Sequence, residues 1–200
     1  IGVDGIMIVT PYYSKPSQFG ILKHFEEISK NTDLPIMAYN IPGRTATLIE
    51  IDTLEKLVDD IGIHSIKDAV GDLEFSKNEL EALKDKVDIY SGNDGETIEF
   101  MKLGGKGVVS VASHVVGNEI YDLINHVLND EVESAEHLQN QLLPLFDLLF
   151  EEPSPGPVKY LLTKTWEDVG SPLMPITDIS SELANKLLDI SKGISTLPIL

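Results

Sequence analysis

Short apolar runs of strand length alternate with helical segments along the first part of the chain, and this alternation most restricts the fold. The runs predict strands at residues 5–9, 34–38, 63–67, 87–91 and 107–111, spaced by about 25 residues. Strands that are apolar on both faces belong in a parallel sheet covered by helices. Repeated strand–helix units therefore predict an α/β fold with about five βα units.

The helices between these strands are predicted from apolar periodicity and from capping residues. Ser17 is predicted to cap a helix that runs to about residue 31, and Asp52 is predicted to cap the next one. Three more helices are predicted at about residues 73–84, 96–103 and 118–128.

Strand signals stop at Glu131. Helices are predicted at about residues 132–150, 158–169 and 180–192, with proline-rich segments between them, because proline cannot continue a helix. We therefore expect a barrel-like βα portion over residues 1–130 and a helical domain over residues 131–200. The apolar tail, residues 193–200, receives no assignment.

Composition argues against several classes of function. The net charge of -18 disfavours nucleic acid and anionic membranes as partners, because such partners need clustered Lys and Arg. The chain has no cysteine, which removes disulfides and thiol chemistry and suits a reducing cytoplasm. The histidines show no ligand spacing, so no metal is expected. No apolar run approaches the ~20 residues of a membrane span, and no glycine-rich phosphate motif follows any strand.

The chain begins at Ile1, without an initiator Met, and enters a predicted strand almost at once. We therefore expect that an amino-terminal portion is absent from this sequence.

A tyrosine and a lysine end two successive predicted strands. Tyr39 ends the second, Lys67 ends the third, and Arg44 lies on the loop after Tyr39. In (β/α)8 barrels the chemistry is kept at the carboxyl ends of the strands. Apolar neighbours predict that Lys67 is buried, which lowers the pKa of its amine because the charged form loses hydration. A neutral amine can form a Schiff base with a ketone; the alternative is a structural lysine paired with Asp68 or another acid.

The neighbouring side chains each have a functional and a structural interpretation. The Tyr39 phenol can relay a proton or can be a core tyrosine with a bonded hydroxyl. The Arg44 guanidinium can grip a carboxylate through two parallel hydrogen bonds, or it can form a salt bridge with a neighbouring acid. The pair Tyr12 and Tyr13 can be a subunit contact or loop packing.

Four segments together resemble the dihydrodipicolinate synthase family of pyruvate-dependent class I aldolases. They are Thr10-Pro11-Tyr12-Tyr13-Ser14-Lys15-Pro16, Tyr39-Asn40-Ile41-Pro42-Gly43-Arg44-Thr45, Ile66-Lys67-Asp68-Ala69 and Ser91-Gly92-Asn93-Asp94. The lysine and the Tyr-Asn-x-Pro motif are shared with N-acetylneuraminate lyase and related aldolases, whereas the ending Gly43-Arg44-Thr45 favours the synthases. The resemblance implies a (β/α)8 barrel of which this chain supplies strands four to eight, followed by a helical extension.

The resemblance also implies a reaction, that of a lyase in lysine biosynthesis. Lys67 would condense with pyruvate, and the resulting enamine would attack aspartate semialdehyde to give hydroxy-tetrahydrodipicolinate. No metal or organic cofactor is implied, because the lysine itself supplies the electron sink. Members of the family are commonly homotetramers built from tight dimers.

Further roles follow from the same resemblance. Tyr39 would shuttle protons, and Arg44 would hold the carboxylate of the semialdehyde. Tyr13 would reach across a dimer interface into the proton relay of the partner. The main chain around Gly92 and Val109 would line the pyruvate pocket.

The chain departs from the family pattern at its beginning. A (β/α)8 barrel needs eight strands and typically about 250 residues, and nothing here matches the family's Gly-Thr-Thr-Gly-Glu-like segment. We therefore expect these 200 residues alone to be inactive or nearly so. Two alternatives stay open: another pyruvate-dependent aldolase acting on a keto-sugar acid, and a non-catalytic paralogue.

Overall fold

The computed structural model of the protein describes residues 2–194. The chain forms two compact units, Ile1–Val109 and Ser110–Leu200. Within the described range, no helix combines the length and the hydropathy that a membrane crossing requires. The apolar tail, for which the sequence gives no assignment, lies largely outside the described residues.

The first unit is built on a parallel sheet of four strands, which confirms the predicted α/β class. The strands run in spatial order β1-β2-β3-β4 and all pairs are parallel. Their bounds are β1 Ile6–Val9, β2 Ile36–Asn40, β3 Ser65–Asp68 and β4 Asp88–Ser91. The register places Tyr39 of β2 opposite Lys67 of β3, and Lys67 opposite Tyr90 of β4.

The prediction of a fifth strand at residues 107–111 is wrong in its extent. This segment makes only one isolated parallel bridge, between Val108 and Ser91 of β4. Gly107 has a φ of 149°, which takes the backbone off an extended path. Beyond Val109, the Ser110 hydroxyl accepts a hydrogen bond from the Ser113 N–H at 2.8 Å, which begins a helical turn and ends the extended segment.

The helices of this unit follow the strands as predicted, with differences at their ends. They are α1 Gln18–Ser29, α2 Pro42–Thr45, α3 Ile51–Lys56, α4 Leu73–Ala82 and α5 Thr97–Lys102. A π-helical turn, Leu57–Ile61, continues α3, and a 3-10 turn, Asp94–Glu96, precedes α5. The short helix α2 lies where the sequence predicts only a loop.

Two capping predictions have different outcomes. The Ser17 hydroxyl accepts a hydrogen bond from the Gly20 N–H at 3.2 Å, so the cap of α1 is confirmed. The prediction for Asp52 is wrong, because Glu50 is the N-cap of α3 and Asp52 lies inside the first turn. An acidic side chain there still interacts favourably with the helix dipole.

The core of the first unit lies between its helices and one face of the sheet. Because side chains alternate along a strand, Ala38 and Ile66 point to that face and Tyr39 and Lys67 point to the other. The buried apolar cluster comprises Ile21, Phe25, Ile36, Ala38, Ile49, Leu54, Leu57, Ile63, Ile66, Leu83, Ile89 and Phe100. The opposite face carries Tyr39 and Lys67 together with the apolar side chains of Val9 and Met37.

The second unit is helical in the part that is described. Its helices are α6 Ser113–Leu128, α7 Val132–Glu151, α8 Gly156–Thr165 and α9 Ser181–Ser191. Helix α6 begins before the predicted residue 118 and contains a kink at Val116 (φ -127°, ψ 45°). Helix α8 ends before the predicted residue 169. Helices α6, α8 and α9 all pack against α7, while the predicted domain boundary at residue 130 stays a prediction.

Candidate active site

Lys67 lies near the carboxyl end of β3, on the face of the sheet that points away from the core. Only 8% of the residue is exposed, and Nζ lies 4.2 Å from the centroid of the Tyr39 ring. Burial lowers the pKa of the amine, and the charge of the buried Asp94 partly opposes this by raising it. The amine is therefore easier to deprotonate than an ordinary lysine, which is what a nucleophilic lysine needs.

Asp68 does not take the role of a partner for Lys67. It follows Lys67 in β3 and therefore points to the opposite, core-facing side of the sheet. Its carboxyl accepts hydrogen bonds from the Val70 N–H at 2.8 Å and from the Ser76 hydroxyl. The structural alternative of a Lys67–Asp68 pair is thus not the arrangement found.

Tyr39 is half-buried beside the lysine. Burial raises the pKa of its phenol, and the positive charge of Arg44 acts in the opposite direction. The electrostatic effect shows that the guanidinium and the phenol share one neighbourhood. The main chain of Tyr39 is held at this place because its carbonyl accepts hydrogen bonds from both the N–H and the hydroxyl of Thr10, each at 3.2 Å.

The sequence predicts Arg44 on a loop, but it lies in the one-turn helix α2. The segment between β2 and α3 that contains this helix, here called the Arg44 loop, is held in shape by buried side chains. The Asn40 amide donates to the Ile49 carbonyl and accepts from the Ile49 N–H, both at 3.0 Å, which closes the loop at its base. The single proton of the Thr45 hydroxyl lies between the carbonyls of Ile41 and Thr47, which are 3.0 and 2.9 Å from the hydroxyl oxygen. Arg44 itself is exposed, and it forms no salt bridge with the residues that the structure describes.

Gly92 lies directly against the lysine side chain. A Cβ at this position would come within 2.7 Å of Ala69 Cβ and 2.9 Å of Lys67 Cε. The Gly92 N–H donates to the Asp68 carbonyl, which fastens the loop after β4 to the end of β3. Glycine is required here because any side chain would displace Lys67.

The two remaining predicted site residues have different surroundings. The Val109 N–H donates to the Ser91 carbonyl at 2.8 Å, so the Val109 main chain runs beside the end of β4, one residue from Gly92. Tyr13 is 93% exposed on the loop after β1, with a φ of 67°. The structure brings Tyr39, Lys67 and Gly92 into contact range, whereas Tyr13 makes no side-chain hydrogen bond or ring contact with other residues of the described range.

Several residues that shape this site are not identified by the sequence patterns. Asp94 is buried and acts on the charge of Lys67. Tyr90 is the register partner of Lys67 on β4 and belongs to the same face. Asn40 enters the sequence analysis only as part of the Tyr-Asn-x-Pro motif, although it clamps the Arg44 loop. In the sequence, each of these residues is visible only as a polar residue next to an apolar run. The residue with which each of them interacts lies elsewhere in the chain, so the interaction is not visible in the sequence.

The amine of Lys67, the phenol of Tyr39 and the guanidinium of Arg44 all lie at or just after the carboxyl ends of two adjacent parallel strands. Proteins with a (β/α)8 barrel build their active sites at these strand ends. No set of three or more His, Cys, Asp or Glu side chains is grouped to hold a metal ion between residues 2 and 194.

Comparison with known proteins agrees with this class. Residues 1–193 match the model of the dihydrodipicolinate synthetase family. The chain therefore belongs to that family. It is 40% identical over 194 residues to a 4-hydroxy-tetrahydrodipicolinate synthase of Listeria monocytogenes, covering 97% of this chain and 66% of that protein. The chain thus spans about two-thirds of the length of the curated relatives that it matches.

Solved structures extend the likeness to three dimensions. A dihydrodipicolinate synthase of Bacillus anthracis matches with a TM-score of 0.91 and 42% identity, over 94% of this chain and 65% of the other. The dihydrodipicolinate synthase of Aquifex aeolicus matches with a TM-score of 0.94 and 35% identity, over 99% of this chain and 68% of the other. The predicted fold class, part of a (β/α)8 barrel with a helical extension, is confirmed.

Proposed function

We propose that the full-length gene product is a Schiff-base lyase that condenses pyruvate with aspartate semialdehyde to form hydroxy-tetrahydrodipicolinate, in the biosynthesis of lysine. One observation carries the proposal: the almost wholly buried amine of Lys67 lies 4.2 Å from the Tyr39 ring at adjacent strand ends. Membership of the family supports the choice of substrates.

The first half of the proposed reaction takes place at Lys67. Its neutral amine attacks the ketone carbon of pyruvate and forms a carbinolamine, which loses water to give an imine. Tyr39 donates the proton that leaves with the hydroxyl as water. The protonated imine draws electrons from the methyl group, which loses a proton and becomes the enamine carbon.

The second half forms the carbon–carbon bond. The enamine carbon attacks the aldehyde carbon of the semialdehyde, and the aldehyde oxygen takes up a proton. The amino group of the bound semialdehyde then attacks the imine carbon, which closes the ring and releases Lys67. Arg44 holds the carboxylate of the semialdehyde, a task suited to a guanidinium that can make two parallel hydrogen bonds.

The remaining assignments belong to the same proposal. The main chain at Gly92 and Val109 lines the pyruvate pocket, and the exposed Tyr13 completes the proton relay of a neighbouring subunit. The protein would act as a homo-oligomer, a dimer or a tetramer, in the cytoplasm. Exposure of an aromatic ring on a loop next to the site supports the subunit role, because aromatic residues are enriched at interfaces.

Reductive trapping tests the imine. The full-length gene product is incubated with pyruvate and borohydride, and peptide mass analysis should find a reduced pyruvyl group on Lys67. Lys67→Gln should abolish the label, whereas Lys86→Gln, which removes a surface lysine paired with Asp59, should not. A label spread over surface lysines, or none at all, would remove the mechanism.

Substrate choice is tested separately. Arg44→Ala should weaken the use of aspartate semialdehyde far more than the trapping of pyruvate, and equal loss of both would make Arg44 structural. Product analysis with aspartate semialdehyde and with keto-sugar acids distinguishes the synthase from a sugar-acid aldolase. Turnover of the sugar acid alone would favour that second activity.

A further inference from the structure

Besides Asp68, a second carboxyl group is buried on the helix-covered side of the sheet, that of Glu79. Glu79 belongs to α4 and is 0% exposed. Among the residues described, no N–H or hydroxyl group donates to either of its carboxyl oxygens, and the group that it can hydrogen-bond is another carboxyl, that of Asp68. An unpaired carboxylate in such surroundings is so unfavourable that the group takes up a proton instead. The catalytic proposal makes no use of this residue.

The neighbour that acts on Glu79 is Asp68, whose carboxyl is bonded by Ser76, three residues before Glu79 on the same buried face of α4. Asp68 is 3% exposed and already accepts hydrogen bonds from the Val70 N–H and the Ser76 hydroxyl. Burial raises the pKa of Asp68 too and is the largest effect on it, but these two donors act in the opposite direction and favour the ionised form. Glu79 has no such donors, and burial together with the charge of Asp68 raises its pKa to about 9. The two environments thus assign the proton to Glu79 and the negative charge to Asp68.

Few other charges act on this pair. Asp72, the N-cap of α4, adds a further negative charge that acts on Asp68. Helices α3 and α5 also pack against α4, but neither contributes a charged group acting on Glu79 in the part of the chain that is described. No cation of the described residues acts on either carboxyl to compensate a second negative charge, so the pair is stable only while it holds one proton.

Asp68 connects this pair to the site. It directly follows Lys67 in β3, and its carbonyl accepts the N–H of Gly92, the residue that lies against the Lys67 side chain. The Ala69 N–H donates to the Asn40 carbonyl at 2.9 Å, which links the same strand end to β2. The conformation of Asp68 therefore determines where the end of β3 and the loop at Gly92 are placed.

We propose that Glu79 and Asp68 share a single proton, with Glu79 as the donor, and that this acid–carboxylate pair is a positioning device for Lys67. The inference rests on the proposed function, because it assigns the pair a role in imine formation. Loss of the shared proton places two negative charges in the core, pushes Asp68 away from Glu79 and disturbs the contact between Gly92 and Lys67.

Two substitutions separate the parts of this proposal. Glu79→Gln keeps a hydrogen-bond donor for Asp68 and cannot ionise. Glu79→Leu keeps the volume but removes the donor. Glu81→Gln is the matched control, because Glu81 lies on the same helix but is exposed.

The first measurement is the rate of pyruvate trapping on Lys67 in the full-length gene product as a function of pH. The unsubstituted protein and Glu81→Gln should lose rate together above about pH 9, where Glu79 ionises. Glu79→Gln should match them at neutral pH and keep its rate in the alkaline range. Glu79→Leu should be slower by about tenfold or more throughout, since Asp68 loses its donor.

The second measurement is infrared spectroscopy, which reports the proton directly. A band of a protonated carboxyl group should be present at neutral pH, vanish on alkaline titration and be missing from Glu79→Gln. Identical pH profiles for the unsubstituted protein and Glu79→Gln, or normal trapping by Glu79→Leu, would overturn the positioning role. If Glu79→Leu does not fold, the pH profiles of the unsubstituted protein and Glu79→Gln still decide whether the pair positions Lys67.

The two proposals fail in different ways. Absence of any trapping in the unsubstituted protein would overturn the proposed function and with it the positioning role. Normal trapping without the protonated-carboxyl band would overturn only the shared proton.

Discussion

Lys67 and Tyr39 are register partners on adjacent parallel strands, and the amine lies 4.2 Å from the centroid of the phenol ring. The ring covers the amine and removes water from it, which favours the neutral form. A ring face also attracts an ammonium ion, which acts in the opposite direction. Burial lowers the pKa of Lys67, and this effect is larger than the opposing effect of the Asp94 charge.

Tyr39→Phe tests the hydroxyl separately from the ring. The ring still covers Lys67, so the pH dependence of the amine should change little. The rate of imine formation with pyruvate should fall by about 100-fold, because a positioned acid–base group contributes at least this much. Stopped-flow measurement of imine formation checks the expectation. Tyr121→Phe, at an exposed position of α6, is the control, and an unchanged rate in Tyr39→Phe would remove Tyr39 from the relay.

Asp94→Asn tests the electrostatics of the amine. The negative charge of Asp94 raises the pKa of Lys67, so its removal should lower that pKa further. The acid limb of the pH profile for pyruvate trapping should therefore move to lower pH. Asp88→Asn removes an exposed carboxylate from the same part of the chain and should leave the limb in place. A shift towards higher pH would contradict the assignment.

Gly92→Ala tests the contact at the lysine side chain. The added methyl group comes within 2.9 Å of Lys67 Cε, and overpacking of this kind destabilises a protein by about 1–3 kcal/mol. Trapping of pyruvate should fall together with stability. Gly117→Ala is the matched control, because nothing lies within 4 Å of a Cβ there. Denaturant unfolding and peptide mass analysis measure the two effects, and full trapping in Gly92→Ala would show that the contact is unimportant.

Asn40→Ala tests the clamp of the Arg44 loop. Two hydrogen bonds to the main chain of Ile49 are lost, and the groups left unpaired cost about 1–3 kcal/mol each. The loop should loosen, so KM for aspartate semialdehyde should rise more than KM for pyruvate. Asn31→Ala removes one exposed hydrogen bond to Glu27 and should alter stability by less than about 0.5 kcal/mol. Equal changes in both KM values would argue against a role in placing Arg44.

The pH dependence of unfolding reports the ionisation of Glu79. Its pKa is about 9 in the folded protein and is taken as 4.5 in the unfolded chain, so the folded state holds a proton that the unfolded state releases. This group therefore lowers the free energy of unfolding as pH rises from 4.5 towards 9, by about 1.4 kcal/mol per pH unit. Urea titrations should give a flatter curve for Glu79→Gln than for Glu81→Gln. Parallel curves would show that Glu79 is not protonated.

The predictions that the structure confirms depend on short stretches of sequence. Ser17 caps α1 by accepting the Gly20 N–H at 3.2 Å. A serine before an apolar helical pattern contains all of this information, because both bonding partners are three residues apart. The parallel sheet follows equally from the apolar runs and their spacing.

The features that sequence patterns miss depend on distant partners. Asn40 clamps Ile49, Asp94 acts on Lys67, and Glu79 faces Asp68, and none of these pairs shares a local pattern. The apolar run at residues 107–111 predicts a fifth strand, but only its first part pairs with β4. Val108 forms the bridge to Ser91, and hydrogen bonds join Gly107 and Val109 to that same residue.

The alternation along β3 has a consequence for how this strand tolerates change. Neighbouring residues place opposite chemistry on opposite faces of the sheet: the Lys67 amine lies beside the Tyr39 ring, and the Asp68 carboxyl points toward the helices. A slip by one residue would exchange them, burying the cation among apolar helices and presenting an acid to the keto acid. Insertions or deletions within this strand should therefore be more damaging than most single replacements, and natural length variation is expected in the connecting loops instead.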